Sequence, residues 1–281
     1  MGLEVFLMNR LFVTVVLYEK KWQESLAAVI LENAIHNKKI QLLIYDNSKR
    51  KQEDEFFCHS DVTYIHDKTN SGLAEAYNKG FSLAKGHDLL LLLDQDTVLT
   101  EEYLDLLLGL SIDNNVGAIV PLVFSEGKQI SPVMADRYIN RNLVYPGVGK
   151  KTSRLMAINS GTAVTINALK KLKGFNKNFP LDFLDHWLFY CLYQEKYAVL
   201  VVGEIIEHDL SVMHYQTMTK ERYDQIIKSE SYFYMNFDKE KQKDHRNQLF
   251  LRTIKQLLSA KKRPFYRRTW AEYRSFRKEQ S

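Results

Sequence analysis

Cysteine is almost missing from this chain of 281 residues: only Cys58 and Cys191 are present, far apart and outside any CxxC pair. That scarcity argues against a disulfide framework and against a structural zinc site, and it suits a reducing cytoplasm. Long apolar runs are missing too. The longest, Leu11 to Leu17 and Leu89 to Leu93, are strand-sized and fall well short of the ~20 residues that a bilayer-spanning helix needs. At the N-terminus Glu4 interrupts the apolar stretch, no small-residue cleavage site follows, and Phe6 stands where myristoylation after Gly2 wants a hydroxyl, so neither export nor acylation is expected. The five prolines and twelve glycines form no low-complexity tract, and no internal repeat is present.

What is there suffices for a large core, since 45% of the residues are apolar and 12% aromatic, with an ordinary 26% charged. The net charge of +5 is unevenly divided. Residues 239–281 hold 14 Lys/Arg and 4 Asp/Glu, which by subtraction leaves 25 and 30 in residues 1–238, so the body carries −5 and the tail +10. Such a tail suits an anionic surface, with attraction of ~1 kcal/mol per basic residue close to an acidic leaflet. No recognition module accompanies the charge, so nucleic acid is not expected as a partner.

Along residues 11–120 β-rich apolar segments alternate with amphipathic ones, the pattern of βαβ units around a mainly parallel sheet flanked by helices. Strands are expected at Leu11 to Tyr18, Ile40 to Asp46, Val62 to His66, Asp88 to Asp94 and Val116 to Pro121. Helices are expected at Trp22 to His36, Gly72 to Lys85 and Glu101 to Leu110, the last capped by Thr100. After Pro121 the alternation stops, and the Pro and Gly residues of 122–154 predict a loop or hairpin excursion. An apolar stretch from Leu155 to Ile166, a short helix near Asn167 to Lys173, a helix from Asp185 to Glu195, and strands at Tyr197 to Val202 and Ile205 to His208 follow. From Thr219 onward the chain reads as helical. Leu249, Phe250, Ile254, Leu257 and Leu258 form an apolar stripe, and beyond Pro264 the residues Tyr266, Trp270 and Tyr273 recur at helical spacing. This basic, aromatic region fits an interfacial helix on an anionic membrane, or a stripe packed on the catalytic domain or on a partner subunit; both readings stay open.

The strongest chemical signal is Leu93-Asp94-Gln95-Asp96-Thr97, a buried strand ending in two carboxylates. Ligands of open α/β sheets bind at such strand ends. Two carboxylates one residue apart can hold one Mg²⁺ or Mn²⁺ and leave positions for phosphate oxygens. The same segment, an apolar strand followed by Asp-x-Asp-x-Val, also resembles the nucleophile motif of haloacid-dehalogenase-like phosphatases, in which Asp94 would attack phosphorus. That family opens its domain with this strand, whereas three strands are expected before it here. A non-catalytic module that binds sugar or nucleotide is a third reading.

The successive segments Thr14-Val15-Val16-Leu17-Tyr18, Tyr45-Asp46-Asn47-Ser48, Asn70-Ser71-Gly72 through Asn78-Lys79-Gly80, and Leu92 through Thr97 together resemble the ordered signatures of family 2 glycosyltransferases, which have the GT-A fold. The resemblance covers roughly residues 10–215. It implies a catalytic domain over 1–218, with a nucleotide-sugar half at about 10–121 and an acceptor half at about 122–218, and leaves 219–281 as a basic helical extension. It further implies that Thr14 and Tyr18 frame the nucleobase, that Asp46 accepts a hydrogen bond from uracil or thymine, and that Asn70, Gly72 and Asn78 shape the loop and helix start over the nucleotide. Asp94 would lie near the ribose or the metal, Asp96 would bind the metal directly, and His208 would complete that site, with His214 close behind. Phe179-Pro180-Leu181-Asp182-Phe183-Leu184-Asp185-His186 resembles the acceptor-side segment that carries the general base. Asp185 falls on that position; because Leu184 stands where the family has Glu, Asp182 stays open as an alternative. Thr219, Arg222 and Tyr223 resemble a segment that closes on the diphosphate. The implied donor is a UDP- or dTDP-linked sugar, rhamnose by the likeness of Leu93 to Thr97 to bacterial rhamnosyltransferases. The implied acceptor is a saccharide or lipid-linked saccharide for surface polysaccharide, reached from the cytoplasm or the inner face of the cell membrane.

Overall fold

A computed structural model describes residues 8–139, 142–208, 218–259 and 265–279. The nucleotide-side half begins with four parallel strands, β1 (Leu11–Leu17), β2 (Ile40–Asp46), β3 (Val62–His66) and β4 (Leu89–Asp94), which lie side by side in the order β3-β2-β1-β4. Every residue of β1 is buried, as an inner strand covered on both faces requires. Helices α1 (Ala28–His36), α2 (Leu73–Leu83) and α3 (Glu101–Gly109) connect and cover these strands. Thr100 caps α3 as expected, its hydroxyl accepting from the Tyr103 N–H at 3.2 Å. The helix expected from Trp22 starts only at Ala28, because Trp22 is tied down: its N–H donates to Gln52, its indole N–H donates to Glu32, and its ring stacks on Phe56.

Past β4 the sheet becomes mixed. The short β5 (Thr97–Val98) is followed by β6 (Val116–Ser125), the hairpin strand β7 (Lys128–Ser131), and the small pieces β8 (Val133–Met134), β9 (Gly149–Lys151) and β10 (Leu155–Met156). β11 (Ala163–Thr165) sits between β4 and β6, antiparallel to both. Then come α4 (Ile166–Leu172), α5 (Leu184–Gln194) and β12 (Ala198–His208), which runs parallel to β6 and antiparallel to β5. The two strands expected at 197–208 are thus one, because a bulge between Val201 and Ile205 absorbs the residues around Gly203 without ending the pairing.

Alternation along β1 sends Phe12 and Val16 to one core and Leu11, Val13, Val15 and Leu17 to a second core on the opposite face. The first core also holds residues of α6 (Lys220–Asn236), α7 (Gln242–Leu258) and α8 (Tyr266–Glu279), among them Tyr223, Phe233, Leu249 and Phe276, together with Phe265 just before α8. Pro264 lies outside the described residues; α7 ends before it and α8 begins after it. Among the described residues no helix is long and apolar enough to cross a membrane.

Two buried ionic clusters fasten these helices to the 122–154 excursion. Glu230 accepts from both guanidinium nitrogens of Arg252 at 2.6 and 2.8 Å, and from the hydroxyl of Tyr138 at 3.1 Å. Asp238 pairs with Arg154 at 2.5 Å and with Lys241 at 3.2 Å. His245 is fully buried, and burial pushes its imidazole down to about 4, so it is neutral at physiological pH. With the Tyr138 proton committed to Glu230, Nδ1 of His245 donates to the Tyr138 oxygen at 3.1 Å, and Nε2 accepts from Ser231 at 3.2 Å. Breaking one half of such a pair strands the other charge away from water. Glu230→Ala is therefore expected to cost about 3–5 kcal/mol in urea unfolding; a loss below 1 kcal/mol would show that Arg252 finds another partner or water.

Candidate active site

From β1 the chain runs outward to β3, then returns to β4 on the other side of β1, so the strand order reverses between β1 and β4. That reversal leaves a crevice at the carboxyl ends of the strands, the usual ligand position in an open α/β sheet. Tyr18 and Gln95 line it as a reciprocal pair: the Tyr18 N–H donates to Gln95 Oε1 at 2.8 Å, and Gln95 Nε2 donates to the Tyr18 carbonyl at 3.2 Å.

Asp94 closes β4. Its N–H donates to Ser160 Oγ at 2.8 Å, and its Oδ1 accepts from the hydroxyl of Tyr77, which reaches up from the buried face of α2, at 3.0 Å. Three residues on, Thr97 opens β5, and the β5–β12 register puts His208 opposite Thr97. This pairing is what carries His208 to the acidic turn. Thr97 Oγ1 lies 2.5 Å from Ser160 Oγ and 2.9 Å from His208 Nδ1, and that nitrogen is 3.5 Å from Asp96 Oδ1.

One ligand atom from each of Asp94, Asp96 and His208 lies within 4.8 Å of the others. Asp96 Oδ1 is buried without a hydrogen-bond partner, an arrangement that costs free energy unless something positive meets it. Burial, and next the charge of Asp96, push the Asp94 carboxyl up to about 6, with His208 and Tyr77 opposing. The residues therefore fit a divalent cation: two carboxylates and one imidazole suit Mn²⁺, and the carboxylate oxygens suit Mg²⁺ as well.

Asp185 occupies the first turn of α5, where its Oδ1 accepts from the His186 N–H at 2.8 Å. Its charge helps to raise Asp94, Tyr77 and Asp182, so it shares one electrostatic neighbourhood with the acidic turn. Asp182 is engaged elsewhere. Arg222, in the first turn of α6, grips both its oxygens, with Nη2 to Oδ1 at 2.6 Å. Burial nonetheless raises the Asp182 pKa above its ordinary value, while Arg222 opposes the shift. Arg222 is thus committed to Asp182 instead of standing free for a phosphate. Thr219 caps α6, and Tyr223 is buried beneath it.

Several other expected donor contacts are not brought to the crevice. Thr14 is fully buried on the face of β1 that lies under α2, where a Cβ at Gly80 would meet its hydroxyl at 2.0 Å. Asp46 is also fully buried, and its carboxylate already accepts from the Tyr64 hydroxyl at 2.7 Å, the Ser48 N–H at 2.9 Å and Gln52 at 3.1 Å. A nucleobase N–H has no access to it in this arrangement. Asn78 forms a two-way amide clamp with the backbone of Phe175, 2.8 Å in each direction. Gly72 does shape the start of α2, but the backbone that approaches it is the protein's own: at φ 89° a Cβ would meet the Pro180 carbonyl at 2.2 Å, and that carbonyl accepts from the N–H of Leu73 at 2.6 Å. Asn70 takes the left-handed conformation, φ 51°, in the exposed turn after β3. His214 lies outside the described residues.

Tyr77, Ser160, Thr97 and Gln95 hold the acidic turn in place and received no role from the sequence. Spacing gave a signal for Tyr77, which shares the inward face of α2 with Ala74. Ser160 stands in the conspicuous Ser160-Gly161-Thr162 turn, but only the fold shows that it reaches Asp94.

A mainly parallel sheet with a carboxylate pair and a histidine at its switch point defines a GT-A type α/β protein with a candidate cation site. The family model described as glycosyl transferase family 2 matches residues 13–172, more than half of the chain, and the chain belongs to that family. No curated protein matches it at a significant level. Among solved structures it is similar to GalNAc-T7 with UDP, GalNAc and Mn²⁺, at 16% identity and TM-score 0.54, covering 81% of this chain and 50% of that one. The mannosyltransferase PcManGT from Pyrobaculum calidifontis, in complex with GDP-Man and Mn²⁺, is similar at 13% identity and TM-score 0.52, with 79% and 63% covered. S. aureus TarS 1-349 in complex with UDP is similar at 10% identity and TM-score 0.50, with 82% and 66% covered. The chain thus spans about half to two thirds of these structures, and at such identities the likeness is one of fold. Family membership sets aside the phosphatase reading, in which Asp94 would be the nucleophile.

Proposed function

We propose that the chain transfers a sugar, with inversion, from a nucleoside-diphosphate donor to a hydroxyl of a saccharide or lipid-linked saccharide in surface polysaccharide synthesis. The observation that carries this reading is the convergence of Asp94, Asp96 and His208, with ligand atoms within 4.8 Å of one another, at the strand ends of a family 2 glycosyltransferase domain. Asp185, which among the described residues has no ion-pair partner where Asp182 is locked to Arg222, is the base that takes the proton from the acceptor hydroxyl as its oxygen attacks the anomeric carbon. Asp94, Asp96 and His208 hold Mn²⁺ or Mg²⁺, which when bound neutralises charge growing on the departing diphosphate. Tyr77 and Ser160 keep Asp94 aimed at that position, and Tyr18 with Gln95 borders the base side of the crevice. The donor is UDP- or dTDP-linked. The likeness of Leu93 to Thr97 to rhamnosyltransferases favours rhamnose, and two of the similar structures contain UDP.

A thermal-shift panel of nucleotide sugars, each with and without Mn²⁺, tests the reading. A donor at 100 times its Kd stabilises the fold by ~2.7 kcal/mol, so one UDP- or dTDP-sugar with Mn²⁺ should raise the melting temperature clearly above either alone. A panel in which no nucleotide sugar shifts the transition would sink the proposal.

A further inference from the structure

The aromatic and apolar residues of the C-terminal helices divide into two sets. Phe265 and Phe276 point into the core, and Thr269 of α8 is buried in a hydrogen-bonded node with Tyr223 and Gln256, the bonds being 2.6 to 2.8 Å long. The other set faces water. Phe250, Leu251, Ile254, Leu257 and Leu258 of α7 and Trp270 of α8 are each 40% to 81% exposed. At about 100° per residue the five α7 positions fall on one face. Trp270 joins them to α8, its ring stacked on Tyr273 at 5.1 Å and 6.5 Å from that of Phe250.

Charge around this ridge has one sign. Arg267, Arg274 and Arg277 share the exposed face of α8 with Trp270, and Lys255 flanks the α7 stripe. None of these four has a carboxylate partner among the described residues. Residues 249–258 contain no acidic residue, and Glu272 is spent on Arg268 at 2.7 Å. An apolar ridge bordered by arginines that have no carboxylate partner among the described residues, with tryptophan at the boundary, matches the layered chemistry of a bilayer surface, where acyl chains lie below anionic headgroups.

We propose that the exposed faces of α7 and α8 form a docking surface for an anionic lipid bilayer, with the α7 stripe and Trp270 entering the headgroup boundary and the three arginines meeting lipid phosphates. The surface is rooted beside the candidate active site, because Tyr223 of the buried node follows Arg222, the residue locked to Asp182. Docking would therefore hold the acceptor side of the enzyme at the membrane, where a lipid-linked saccharide resides. The binding itself does not depend on the donor chemistry proposed above.

The test is co-sedimentation of the full chain with phosphatidylcholine vesicles, with and without phosphatidylglycerol. Binding is expected only to the anionic vesicles and should weaken with salt. Replacing Arg267, Arg274 and Arg277 together by Gln should weaken it on the order of a hundredfold. Ile254→Glu with Leu258→Glu should abolish it while the melting temperature and the donor-induced thermal shift stay unchanged, which separates this proposal from the catalytic one. Equal binding to neutral vesicles, no binding to anionic ones, or a dimer in solution that Ile254→Glu dissociates would each overturn it.

Discussion

Asp96→Asn is expected to abolish the Mn²⁺-dependent thermal shift and to lower transfer by at least roughly a thousandfold, since Lewis-acid stabilisation of a phosphate leaving group supplies several kcal/mol. The same change should make the metal-free protein more stable. Asp94 has a folded pKa of about 6 against an ordinary value of 3.8, with burial the larger cause and Asp96 the next. Between those two values the fold holds a proton that the unfolded chain has released. Stability without metal therefore falls as pH rises from 3.8 through about 6, by roughly 3 kcal/mol in all. Asp96 accounts for only part of that penalty, so Asp96→Asn should gain about 1 kcal/mol at pH 8 in EDTA and nothing near pH 4. Calorimetry at the two pH values measures the gain directly. Proton and cation compete for Asp94, so metal affinity should drop below about pH 6. A variant that still responds to Mn²⁺ as the parent does would remove Asp96 from the metal site.

Asp185→Asn is the second large expectation. It keeps the side-chain shape and the hydrogen bond from the His186 N–H but removes the base. Turnover should fall by ~10²–10⁴, the usual contribution of a positioned general base. The donor-induced thermal shift should survive, because the role proposed for Asp185 is toward the acceptor hydroxyl. Full turnover in this variant would refute the assignment. Asp182→Asn frees Arg222 from its buried partner, so it should weaken the packing of α6 as well as activity.

Strand ends were the most legible part of this chain. The run Leu89 to Leu93 followed by Asp94 announces a buried strand and its exit, and the motif order fixed the family. What periodicity does not carry is which way a side chain turns once its strand is placed. Thr14 lies on the helix-covered face of β1, and Asp46 turns toward Tyr64, a partner that only the β2–β3 register supplies. Asn78 is claimed by Phe175, almost a hundred positions along the chain, and no local pattern encodes such a clamp. His208 is the converse case: its neighbourhood comes from the β5–β12 pairing, yet the family resemblance, which implies a histidine after that strand, singled it out. In the tail, helical spacing revealed the aromatic stripe but could not divide Phe265 and Phe276 from Trp270, since that division depends on where α6 lies.

The carbonyl of Pro180 occupies the amide groups that begin α2. The positive pole of that helix is consequently spent on the chain itself, and an incoming pyrophosphate gains no help from it. Neutralisation of an anion in the crevice then falls to the cation that Asp94, Asp96 and His208 are proposed to hold. A descendant of this chain seeking to work without one would first have to unlatch its acceptor-side loop from that helix.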